Sequence, residues 1–124
     1  MSMLLDADGS KGRREGYIKA LKTAGFTIVP DFRPLRPWSL ERTNKRNHRR
    51  IVVVDGRIGF TGGYGIDDTW NGDGRTAGRW RETNVRLEGP VVQSLQEAFV
   101  EHWREATDVL LGGKEYLPYP PVEI

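Results

Sequence analysis

Residues 47–65 read N-H-R-R-I-V-V-V-D-G-R-I-G-F-T-G-G-Y-G, and the fold turns on how they are parsed. Ile51 to Val54 is a β-branched run, the composition of a strand, and is expected to be a central one. Asp55-Gly56 is a two-residue hairpin signal, since both positions of such a turn favour positive φ. Arg57 to Thr61 is then the returning strand, and Gly62-Gly63 ends it. Strand periodicity places His48 and Arg50 on one face just before the first strand. Asp55 falls at that strand's far end. The two glycines let backbone approach a ligand closely. A histidine beside a fixed cation suits phosphoryl chemistry: the imidazole attacks phosphorus or moves a proton, and the guanidinium holds the non-bridging oxygens.

Working outward, Met3 to Asp6 reads as a short strand running into the turn-rich segment D-A-D-G-S-K-G. Tyr17, Ile18, Leu21 and Ala24 recur at helical spacing, so a helix is expected over 13–24, with Gly25 as its C-cap. Phe26 to Phe32 follows as a strand. Strand, helix, strand makes a βαβ unit with parallel strands. The connection over 33–47 is irregular, broken by Pro34 and Pro37, with Trp38 and Leu40 as anchors to the body. Past the glycine-rich loop 65–78, Glu82 to Leu87 alternates as a strand. Gly89-Pro90 then opens a helix whose stripe is Val92, Leu95, Phe99, Trp103 and Ala106. Gly112-Gly113 closes that region, and the proline-rich tail 113–124 is expected to be extended.

Composition bounds what such a chain does. It has 124 residues, enough for one domain, and no cysteine, which excludes disulfides, thiolate metal sites and a cysteine nucleophile. The longest strictly apolar run is too short to span a bilayer, and the first residues lack the features of a signal peptide. A cytosolic setting follows, or a peripheral one at the inner membrane. Charge is uneven: over 33–50 seven basic residues face one acid, Glu41, which points to an anionic partner. Asp67, Asp68, Asp73 and Glu82 fit no EF-hand spacing, so neither a metal nor another cofactor is expected. Gly9-Ser10-Lys11-Gly12 lacks the spacing of a phosphate loop. Trp38, Trp70, Trp80 and Trp103 could form a membrane-interface patch, but such residues are more often core or loop anchors, and Trp103 belongs to the core stripe.

The stretch 48–65 resembles the HKD motif of the phospholipase D superfamily: His-x-Lys, four residues, Asp, six residues, Gly-Gly or Gly-Ser, one residue, Asn. His48, Asp55, Gly62 and Gly63 stand at the matching offsets. H-R-R-I-V-V-V-D-G-R-I-G-F-T-G-G is most similar to the first HKD motif of bacterial cardiolipin synthases. L-L-D-A-D-G-S-K-G, A-G-F-T-I-V-P-D-F-R-P-L-R-P-W and W-R-E-T-N-V-R-L-E-G-P-V-V-Q-S-L-Q-E-A-F-V-E-H-W resemble flanking segments of that family.

The resemblance implies an α/β fold with a mixed or parallel sheet flanked by helices, here an incomplete single domain over 1–112 with a C-terminal extension over 113–124. It implies transfer through a phosphohistidine without a metal. His48 is nucleophile or general acid, Arg50 holds phosphate and Asp55 supports the motif. Gly62, Gly63 and Arg49 line the phosphate, and Glu82 orients a partner. The chain departs from the family at Arg50 for lysine, Gly65 for asparagine, and Glu82 and Asn84 for the usual Asp and His. It carries one motif where the chemistry uses two. His102, the other histidine, is expected on a helix surface or interface. A second motif from another segment, or from a second copy in a homodimer, is therefore expected. The family's domain also has a strand, helix and strand ahead of this segment, so the chain is expected to begin within a domain. The partner is an anionic phospholipid or membrane surface. A homodimeric nuclease acting on nucleic acid and a non-catalytic phosphate-binding domain are the alternatives.

Overall fold

The computed structural model describes residues 1–6, 14–32, 47–65 and 67–119. Trp38, Leu40 and the 9–12 segment lie outside the described residues. The chain divides into two compact units, Met1–His48 with Trp103–Val109, and Arg49–His102 with Leu110–Ile124.

The first unit contains the expected βαβ element. Strand β1 (Ser2–Asp6) pairs in parallel with β2 (Thr27–Phe32), in the register Met3 to Ile28 and Leu4 to Val29. Helix α1 (Arg14–Thr23) connects them. Its end is a Schellman motif: the Phe26 amide donates to the Leu21 carbonyl and the Gly25 amide to Lys22, with Gly25 at φ 86°. A glycine is needed there because the left-handed backbone disfavours a side chain.

In the second unit, β3 (Ile51–Val54), β4 (Ile58–Gly62) and β5 (Asn84–Glu88) form an antiparallel sheet in that order. The Asp55-Gly56 turn is as expected. Both residues have positive φ, 52° and 63°, and the Arg57 amide donates to the Val54 carbonyl at 3.0 Å. That is a type I′ hairpin, whose twist matches its strands.

The expectation of a central β3 is corrected: among the described residues β4 is central and β3 lies at the edge. The tight turn folds β4 onto one side of β3, and β5 then takes β4's other side. The β-branched run is buried on one face only, with Ile51 and Val53 half-buried and Val52 56% exposed. The described strands also form two sheets rather than one.

Helix α2 (Val92–Thr107) covers the face holding Val53, Gly59 and Leu87, which are paired across the three strands. Gly59 is where the helix comes closest: a Cβ there would lie 2.8 Å from Leu95 Cδ1. Val92, beside it, is fully buried. The other face carries Val52, Val54 and Phe60, all exposed, beside an Arg86–Glu88 ion pair.

The end of α2 comes at Thr107, before Gly112, because Asp108 takes the left-handed conformation (φ 59°) and donates its amide to the Arg104 carbonyl. The tail is not simply extended. The Gly113 carbonyl accepts from the Tyr116 and Leu117 amides, and Tyr116 and Pro118 back onto Gly56. Among the described residues no helix is long and apolar enough to cross a membrane.

Candidate active site

Residues 47–50 lead into β3. Their entry is fixed within the first unit, where the Asn47 amide donates to Asp6 Oδ2 at 3.2 Å. Asp6, the last residue of β1, thus holds the residue before His48. His48 itself is exposed and belongs to that first unit. Arg49, Arg50, Asp55, Gly62, Gly63 and Glu82 all belong to the second.

The two arginines diverge, as strand periodicity requires. Arg49 turns to α2, its Nη1 3.4 Å from His102 Nε2 and 3.8 Å from Glu101 Oε2. A guanidinium only donates, so His102 Nε2 accepts and carries no proton in this contact. Of the two placements expected for it, helix surface or interface, the surface one is corrected, since His102 is 7% exposed. The stripe read along the helix left position 102 outside it, yet the ring is buried and in contact with Arg49.

Arg50 goes the other way, its guanidinium carbon 5.7 Å from the centroid of the Trp70 ring, within cation–π range. Trp70 packs edge-on to Trp80, with centroids 4.9 Å apart and planes at 84°, and lies 6.1 Å from Tyr64. Trp70 ends a short 3₁₀ turn, Asp68–Trp70, which Asp67 caps by accepting from the Thr69 amide. Asp73 likewise accepts from the Arg75 amide. These loop acids shape turns, and no group of three His, Asp or Glu side chains among the described residues is placed to hold a metal.

The glycine pair closes the end of β4. Antiparallel register sets Ile51 against Thr61, which carries Arg50 alongside Gly62. The Asn84 side chain crowds Gly62 and accepts from the Tyr64 amide at 3.4 Å. The Glu82 carboxylate crowds Gly63 and accepts from the Thr83 amide. Side chains at either glycine would displace these polar groups. Asp55 stands apart from this cluster: Arg50 and Asp55 flank the four-residue β3, roughly 16 Å of extended chain. Asp55 is exposed in the turn, and the turn itself accounts for it.

Arg50, Gly62, Gly63 and Glu82 are thus brought together, and Asp55 is not. Sequence reasoning missed Asp6, Trp70 as the seat of Arg50, and buried His102. Only Trp70 left a signal, as one of two tryptophans near the glycine pair.

Comparison with known proteins identifies bacterial cardiolipin synthases among its relatives. Cardiolipin synthase 2 of Bacillus cereus is 41% identical over 120 residues, covering 97% of this chain and 23% of that protein. The cardiolipin synthase of Geobacillus thermodenitrificans is 40% identical over 118 residues, covering 94% and 23%. That of Oceanobacillus iheyensis is 38% identical over 115 residues, covering 92% and 24%. The chain therefore spans about a quarter of the length of the curated relatives it matches. No family model matches it, and no solved structure does. Similarity at this level over nearly the whole chain shows that it is homologous to one segment of the bacterial cardiolipin synthases.

Proposed function

We propose that the chain supplies one half of a phosphatidyl-transfer site of cardiolipin synthase type, within a phospholipase D-like α/β domain. What supports this most is the aligned identity of 41% to Cardiolipin synthase 2, which spans the whole 48–65 motif. In this reading Arg50 holds the non-bridging oxygens of an anionic phospholipid. His48 attacks phosphorus, a P–N bond forms, and the P–O bond to the leaving alcohol breaks. A histidine from a second motif, on another segment or a second copy of the chain, protonates that alcohol. The acceptor hydroxyl then attacks the phosphohistidine, gives up its proton to the same second histidine and frees His48. Arg49, beside His102, keeps the lead-in in place and lies at the edge of the phosphate site. The protein acts peripherally at a membrane surface.

Turnover of a chromogenic phosphodiester tests this, measured over a range of protein concentrations beside His48→Ala. The expected result is chelator-resistant turnover that rises more steeply than protein concentration and vanishes in the mutant. Turnover untouched by the mutation would overturn the assignment of His48.

A further inference from the structure

Arg50 and Gly65 are two positions at which the chain departs from the HKD pattern, and the structure connects them through a third residue. Gly65 lies against the indole of Trp70: a Cβ there would sit 2.5 Å from Nε1, 3.1 Å from Cδ1 and 3.3 Å from Cε2. Those are atoms of a rigid ring rather than the end of a flexible chain. Any side chain at 65 would therefore move the whole indole or the backbone beneath it. The same ring carries the Arg50 guanidinium, 5.7 Å from its centroid.

The ring is braced on one side. Trp80 meets it edge-on at 4.9 Å, the favoured geometry for an aromatic pair. Its backbone is held too: the Trp70 amide donates to the Asp67 carbonyl at 3.1 Å. The Trp80 amide donates to the Thr69 carbonyl at 2.6 Å, and the Arg79 guanidinium donates to the Asp68 carbonyl. Arg50 itself is exposed. An exposed arginine loses substantial rotamer freedom when it is fixed in one place. A preformed aromatic platform lowers that loss at the moment of binding.

We propose that Trp70 is a positioning residue for the phosphoryl-binding cation. Seated on the bare backbone of Gly65, its indole holds Arg50 beside the Gly62-Gly63 end of β4, so that Gly65, Trp70 and Arg50 work as one coupled unit. This rests on the reading of Arg50 as the phosphate grip. The unit favours arginine over lysine, because a planar guanidinium stacks on an aromatic face while its N–H fork binds two oxygens of one phosphoryl group. Lysine at 50 keeps the charge but loses the fork. The glycine at 65, which removes an amide side chain from the site, makes room for the ring that steadies the replacement cation.

Two measurements on the same variants test this: the ring-current shift of the Arg50 Nε–H resonance, and the affinity for inorganic phosphate followed by NMR titration. Trp70→Leu is expected to abolish the shift and weaken phosphate binding about threefold to fivefold, the scale of an exposed cation–π contact. Gly65→Asn is expected to do the same, and the double variant is expected to be no worse than either single one. Trp70→Phe, a milder change should Gly65→Asn unfold, is expected to restore part of both signals. Arg50→Lys is expected to cost affinity in the native chain and little in the Gly65→Asn background. An Arg50 shift that survives Gly65→Asn, or fully additive losses from Trp70→Leu and Gly65→Asn, would overturn the coupling. A native chain that shows the shift yet binds no phosphate would instead overturn the phosphoryl reading of Arg50.

Discussion

Arg49 reaches across to His102, with Nη1 3.4 Å from Nε2. The contact ties the strand lead-in to a buried ring on α2 and fixes the neutral imidazole with its proton on Nδ1. An isolated imidazole favours the other tautomer. Nitrogen chemical shifts of His102 should therefore report protonated Nδ1 and bare Nε2, and Arg49→Gln should relax that preference. A His102 spectrum indifferent to Arg49→Gln would show that the contact does not set the tautomer.

The same contact separates two kinds of stabilisation. Arg49→Ala leaves a buried acceptor without this donor and should cost about 1 kcal/mol in urea unfolding. Glu101→Gln touches only an exposed ion pair, with side chains 51% and 74% exposed, and should cost less than about 0.5 kcal/mol. Equal losses would mean that the ion pair, not the histidine, anchors Arg49.

Two glycines isolate backbone strain from steric crowding. A Cβ at Gly25 would meet nothing within 4 Å, but φ is 86°. Gly25→Ala should cost about 1 kcal/mol through conformation alone. At Gly59 φ is unexceptional but Leu95 Cδ1 stands 2.8 Å away. Gly59→Ala should cost about 1–3 kcal/mol through overpacking, and Leu95→Ala should recover part of it in the double variant. Strict additivity at positions 59 and 95 would argue against the clash.

Asp55 offers a test of motif against turn. Asn-Gly suits a type I′ turn at least as well as Asp-Gly, so Asp55→Asn should leave the free energy of unfolding unchanged within about 0.5 kcal/mol. Gly56→Ala should be far worse, because φ is 63° and a Cβ would lie 2.7 Å from the Tyr116 carbonyl oxygen. A large loss from Asp55→Asn would reveal a carboxylate role that the turn does not explain.

The features legible in the sequence were those written in local pattern. Asp55-Gly56 announced its turn, Gly25 its cap, and Val92, Leu95 and Trp103 their helix face. The alternation around Val85 placed β5. Less legible was anything set by neighbours distant in sequence. Ile51 to Val54 is apolar at every position, so composition could not say that one face would lie open and the strand sit at an edge. His102 belongs to no stripe on its own helix, and one of its contacts is to Arg49, 53 residues earlier. At the site, the charge of Arg50 could be read, but not the ring beneath it, because a loop of irregular backbone carries Trp70 back to the glycines.

The Asp6–Asn47 hydrogen bond spans 41 positions of sequence. The β3–β4 hairpin closes through a two-residue turn. Loop closure costs more entropy as the loop lengthens, and long-range contacts form late for that reason. The hairpin should therefore nucleate early, while the residues just ahead of it await the docking of β1. A newly made chain would hold its hairpin before Asn47 met Asp6, so strand signal should appear during refolding ahead of protection of the Asn47 amide.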